Sequence, residues 1–294
     1  MPVILKNKQL ELFIDLPLEN YHFSRFDWTG KISKVTYNNI EVTSIERTDT
    51  DKIKCVGQGF YNEFGIDSAI GFNETSLGNW FHKIGIGLLK KEEDVYDFSK
   101  TCKIKPCLFE VNKNTDQITI TCISESINGY SYILTKTIEL FESNFKITYK
   151  LQNTGTKIIE TDEYNHNFIG INNEVINSDY MLSFPFEIKP PYFIESINNE
   201  KKVEIEPYAF KFNNTPKNPF FFSNISGNEM VEATWNLINL KHKIGISETG
   251  SFKTNKINLW GWTHVISPEL FYHIYVTPNK TIFWSRTYEF YTLT

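Results

Sequence analysis

The sequence predicts an all-β protein, a large antiparallel β-sandwich, and three observations carry that expectation. Apolar and polar residues alternate with period two in many windows, as in Gln117-Ile118-Thr119-Ile120-Thr121-Cys122-Ile123, while few windows keep apolar spacing of three and four over helical lengths. Aromatic residues make up 15% of the 294 residues, with 24 Phe, 15 Tyr and 6 Trp, and such side chains favour strands. Two β-rich runs, 130–140 and 145–151, are joined by Phe141-Glu142-Ser143-Asn144, a polar connection of hairpin length that signals an antiparallel meander.

Taken in order, strands are expected over 10–16, 30–37 and 52–56, then over 117–123, 130–140 and 145–151. Further strands are expected over 158–171, 180–186, 230–236, 244–247, 271–277 and 282–290. Their spacing implies two packed sheets. The Pro-rich stretch 185–191 and the Asn/Pro-rich stretch 213–219 read as loops, and 201–219 as a surface excursion with short helical turns, because turn formers interrupt its periodicity. No internal repeat and no linker-like segment divides the chain, so one domain over 1–294 is expected.

Thirty Lys and Arg stand against 35 Asp and Glu, a formal net charge of -5 with no dense basic block, which argues against a nucleic-acid partner. The first 19 residues mix Lys6, Lys8, Glu11 and Asp15 among apolar ones. Neither a signal-peptide core nor a membrane span is expected there, and the expected location is cytoplasmic. Cys55, Cys102, Cys107 and Cys122 form no CxxC pair and have no histidine at ligand spacing, so no zinc site is expected and the thiols are read as reduced. Asn73, Asn213, Asn224 and Asn279 begin N-x-S/T sequons that are read as chance. Gly85-Ile86-Gly87 lacks the third glycine and the helix of a dinucleotide fingerprint.

The segment Glu163-Tyr164-Asn165-His166-Asn167-Phe168-Ile169-Gly170-Ile171 follows a Gln152-Asn153-Thr154-Gly155 turn and sets His166 between two amides and an apolar run. A histidine there can titrate near neutrality, although a histidine within a strand is commonly a hydrogen-bonded structural residue. Asn165-His166-Asn167-Phe168 resembles the Asn-His-x-(Tyr/Phe)-Phe-Asn-Leu segment of aldose 1-epimerases, with Ile169 and Gly170 in place of the usual Phe-Asn. Residues 134–155 resemble the hairpin that precedes that segment. Tyr21-His22-Phe23-Ser24-Arg25-Phe26-Asp27-Trp28-Thr29-Gly30 and Trp80-Phe81-His82-Lys83-Ile84-Gly85 resemble blocks of a bacterial mutarotase-like subgroup. The resemblance spans nearly the whole chain and implies the supersandwich of the galactose mutarotase-like superfamily.

It also implies roles. In aldose 1-epimerases a histidine is the general acid, which falls on His166, and a Glu near the C-terminus is the base. The matching segment here is Val265-Ile266-Ser267-Pro268-Glu269-Leu270, which makes Glu269 the candidate, with Glu248 and Glu289 as weaker substitutes. Opening a pyranose removes the anomeric hydroxyl proton while the ring oxygen gains one, so one base and one acid suffice and no cofactor or metal is demanded. Arg25, His82, Lys83 and Asn165 are the polar candidates for sugar hydroxyls, and Trp260 and Trp262 the candidate aromatic wall. Competing uses are a local ion pair between Arg25 and Asp27 and a solvated Lys83.

The expected function is anomer interconversion of an aldose. The alternative is a non-catalytic carbohydrate-binding or sugar-sensing protein of the same fold. In both, the partner is a small-molecule sugar, with neither nucleic acid nor membrane, and the chain is a monomer or homodimer. A sugar phosphate would need cations, for which Arg25, Lys83 and Arg286 are the candidates. No convincing carboxylate pair supports glycoside cleavage.

Overall fold

The protein is described here by a computed structural model covering residues 2–50 and 55–294. Among these residues the regular structure is almost wholly strand, paired antiparallel, with no α-helix. The expected strand over 52–56 falls largely outside the described residues. Among the described residues, no helix is long and apolar enough to cross a membrane.

A ten-stranded sheet runs from Val203–Glu206 at one edge to Leu108–Lys113 at the other, with Ile244–Thr254, Thr281–Thr292, Asn144–Asn153 and Tyr132–Leu140 side by side in its middle. The predicted hairpin pairs Leu140 with Phe145 and Tyr132 with Asn153. Tyr132–Leu140 buries every second residue, as a half-covered strand must. A seven-stranded sheet contains, in order, Leu10–Asp15, Lys31–Tyr37, Phe60–Phe64, Ile159–Asn167 and Tyr272–Val276. The two sheets share one apolar core. Phe60 meets Tyr288 with ring centroids 4.7 Å apart, and Phe145 stacks on Tyr288 at 4.8 Å.

A four-stranded sheet (Ser196–Ile197, Phe220–Phe222, Ile257–Trp262, Val265–Leu270) and a three-stranded one (Trp80–Lys83, Gly87–Lys90, Ile104–Pro106) flank this pair. Bridges from Ile169 to Thr43 and to Ile266 tie the end of Ile159–Asn167 to the four-stranded sheet. Gly85, at φ +79°, makes the turn between Trp80–Lys83 and Gly87–Lys90, where a Cβ would lie 2.0 Å from Asp27 Oδ1.

Two expectations are corrected. Residues 201–219 hold no helical turns: Val203–Glu206 and Ala209–Phe212 form a hairpin about Pro207-Tyr208 and extend the ten-stranded sheet. Val203, Phe210 and Phe212 anchor it in the core, a pattern too short for periodicity to reveal. Phe60–Phe64 and Val265–Leu270 were not expected as strands; all residues of both are buried, so neither shows alternation.

Candidate active site

Ile159–Asn167 lies between two layers and uses both faces. Glu163, Asn165 and Asn167 point toward the ten-stranded sheet, where Glu163 accepts hydrogen bonds from Arg286, Asn165 donates to Tyr288 Oη at 2.7 Å, and Asn167 donates to Glu248 at 2.8 Å. Tyr164 and His166 project to the other side, into a cavity of about 820 Å³. On the neighbouring strand Phe60–Phe64, Glu63 pairs with Tyr164 and Tyr61 with His166, so Glu63 and His166 are diagonal neighbours on the cavity side. The opposite wall comes from the four-stranded sheet. There Asn258 pairs with Glu269 and Trp260 with Ser267, which puts Asn258, Trp260 and Glu269 on one face, and all three line the cavity.

His166 joins the two walls. Its Nδ1 lies 3.0 Å from Glu269 Oε1 and its Nε2 lies 3.0 Å from Glu63 Oε2. The ring packs against Tyr164 (centroids 4.3 Å apart), stacks on Phe168 (5.4 Å) and meets Phe26 edge-on (5.2 Å). Glu63 is wholly buried. It also receives Arg25 Nε at 3.2 Å, Tyr164 Oη at 3.2 Å and Lys83 Nζ at 3.3 Å. Arg25 donates in turn to Glu46 at 2.7 Å, and its guanidinium sits over Phe26 and Phe98.

Charge follows from this geometry. Burial would push the Glu63 carboxyl up, but Lys83, Arg25 and His166 outweigh it and hold it down at about 2. Burial disfavours the His166 imidazolium, yet Glu269 and Glu63 raise its pKa above the ordinary value. Arg25 is likewise raised by Glu46 and Glu63 against its burial. In the linked cluster, the carboxylates of Glu46, Glu63 and Glu269 face the permanent cations of Arg25 and Lys83, so a proton on His166 brings the cluster to neutrality.

The structure thus brings His166, Glu269, Arg25 and Trp260 to one cavity. It buries His166 and Glu269 to 3% and 6% exposure, more deeply than the sequence suggested. The other candidates lie off it. His82 is buried between Tyr130 and Tyr132, with Nε2 3.2 Å from the Tyr130 carbonyl, and burial lowers its pKa to about 4. Lys83 is neither solvated nor at the lining; its ammonium is enclosed by Glu63, Gly65 O and Tyr96 Oη. Asn165 faces the sandwich interior because strand parity opposes it to His166. Trp262 stands two pairs beyond Trp260, past the cavity lining, with Arg47 over its ring and its Nε1 donating to Lys217 O at 2.8 Å.

Arg286 is fully buried, clamped between Glu163 and Glu248, and does not line this cavity. That also removes Glu248 as a substitute base. Asp27 pairs with Lys136 at 3.1 Å and accepts from Thr29, not from Arg25. Sequence reasoning missed Glu63 and Glu46. A glutamate inside an aromatic run, Phe60-Tyr61-Asn62-Glu63-Phe64, is the one local signal for Glu63, since a charge there needs a buried partner.

No protein-family model and no curated protein matches the chain in sequence. Solved structures do match in fold. A galactose mutarotase related enzyme from Lactobacillus acidophilus superposes with a TM-score of 0.59 at 9% identity, covering 100% of this chain and 98% of that one. The chain has the galactose mutarotase-like fold. A galactose mutarotase-like protein from Lactobacillus casei shares the mutarotase-like architecture at TM-score 0.56 and 12% identity, covering 99% and 100% of the two chains. An aldose epimerase homologue from C. elegans does so at TM-score 0.55 and 10% identity, covering 100% and 99%. At such identities the mutarotase-like likeness speaks for the fold, and the chemistry rests on the residues.

Proposed function

We propose that this chain binds an aldose in the cavity and interconverts its α and β anomers, an aldose 1-epimerase-like activity with Glu269 as base and His166 as acid. The observation that carries the reading is the meeting of His166 Nδ1 and Glu269 Oε1 at the cavity wall, beside the Trp260 and Phe168 rings. Glu269 takes the proton of the anomeric hydroxyl as the bond between C1 and the ring oxygen breaks, and His166 gives its Nδ1 proton to that oxygen. The products are the open-chain aldehyde, a neutral imidazole and a carboxylic acid. Rotation about the C1–C2 bond and the reverse transfers give the other anomer. The indole of Trp260 offers a face for the C–H side of the ring, and Asn258 an amide for its hydroxyls.

A second reading, sugar binding without turnover, is favoured by one feature: acid and base touch each other, so a sugar must enter between them. Arg25 and Lys83 are already neutralised by Glu46 and Glu63, so a phosphorylated substrate would have to draw on Arg47 and Lys100 at the lining, which pair with the exposed carboxylates Asp49 and Glu93. Exchange NMR on free aldoses reads binding and anomer exchange together. Exchange accelerated for an aldose is the expected result; binding without acceleration overturns the catalytic reading in favour of the second.

A further inference from the structure

We propose that Glu63 is a positioning residue that holds His166 as an imidazolium, tying down Nε2 so that Nδ1 carries the proton presented to the cavity. For its catalytic consequence this rests on the acid role proposed for His166; the state of the ring stands on the geometry alone. Both ring nitrogens lie 3.0 Å from carboxylate oxygens, Glu63 on one side and Glu269 on the other, and only the doubly protonated ring donates to both. Turning the ring over would put carbon atoms against both carboxylates, so the two contacts fix its orientation as well as its charge.

The groups around the ring agree. From Phe60–Phe64 comes Glu63, from Val265–Leu270 Glu269, from the 22–27 segment Arg25, and from the histidine's own strand Tyr164. Arg25 opposes the imidazolium, but its charge is spent on Glu46 and Glu63. Glu63 has no solvent exposure and receives Lys83, Arg25 and Tyr164 besides His166, so it stays a carboxylate and does not take the Nε2 proton. When Nδ1 gives up its proton, the neutral imidazole keeps Nε2–H on Glu63, and the tautomer ready to be reprotonated at Nδ1 is the one held. Lys83, enclosed behind Glu63, fixes that carboxylate and never meets the sugar.

The test reads the ring directly. Long-range proton–nitrogen spectra of nitrogen-15 histidine-labelled protein are followed against pH in the wild type and in Glu63→Gln, with His166→Gln to assign the signals. In the wild type both nitrogens of His166 are expected to be protonated at pH 7. In Glu63→Gln the amide oxygen still accepts from Nε2 but the charge is gone, and the midpoint is expected to fall by about one pH unit or more. A wild-type ring that is neutral at pH 7, or a midpoint unmoved by Glu63→Gln, overturns the proposal. Should Glu63→Gln fail to fold, the wild-type spectrum still decides. Anomer exchange measured alongside separates the two readings: an inactive wild type with a doubly protonated His166 overturns the proposed function and leaves this inference standing. In an active protein, Glu63→Gln is expected to move the high-pH limb of kcat downward with KM within about twofold, and Glu63→Asp to restore part of the shift.

Discussion

Replacing Glu269 by Gln removes one charge and almost no volume. Its carboxylate lies 3.0 Å from His166 Nδ1 and 3.5 Å from Ser267 Oγ, on a strand whose other residues are buried on both faces. A glutamine oxygen can still accept from Nδ1–H, so the walls of the cavity should stay where they are. What disappears is the base. Positioned acid–base groups contribute about 10²–10⁴ in rate, so kcat for anomer exchange should fall by that factor, a barrier increase of about 3–5 kcal/mol. Stability should change its pH dependence as well. The His166 pKa is raised in the folded state chiefly by Glu269 working against burial. Its proton therefore stabilises the fold fully below the unfolded value of about 6.5, and that contribution is lost as pH rises through the folded value. Urea unfolding at pH 6 and pH 9 should show a decline in the wild type that flattens in Glu269→Gln. A folded Glu269→Gln that exchanges anomers at the wild-type rate would refute the assignment of the base.

Arg286→Met should destabilise the fold by about 3–5 kcal/mol, because it leaves Glu163 and Glu248 facing each other without their shared guanidinium, and urea unfolding measures the loss. His82 is buried with a pKa of about 4, below its unfolded value, so stability falls as pH drops from about 6.5 toward 4, by at most about 3 kcal/mol. His82→Phe should move the acid-unfolding midpoint to lower pH; an unchanged midpoint would show that another group governs it. Trp260→Ala should weaken sugar binding about tenfold with a melting temperature within a few degrees of the wild type, read by NMR titration and thermal unfolding.

The candidate site was legible in part. His166 and Glu269 stood out because a resemblance in motif order marked them, and the structure brings the two side chains into contact from different sheets. Arg25 and Trp260 also reach the cavity, whereas Asn165, next to His166 in sequence, faces the other way. Strand parity explains that difference, but the direction of each face depends on which layer covers it, and Ile159–Asn167 is covered on both sides. His82 and Lys83 carry polar side chains that the sequence offers to a ligand, and packing turns both inward.

By itself the sequence determined the predominance of strands and the long central hairpin, because alternation and aromatic content are local properties of a half-buried strand. Only the tertiary structure decided the polar interior. Glu63 becomes the centre of the His166 cluster through cross-strand pairing with Tyr164 and through Lys83 and Arg25, which arrive from segments distant in sequence. The local signal, a glutamate inside an aromatic run, does not name its partners, and burying a charge is favourable only when those partners converge in space.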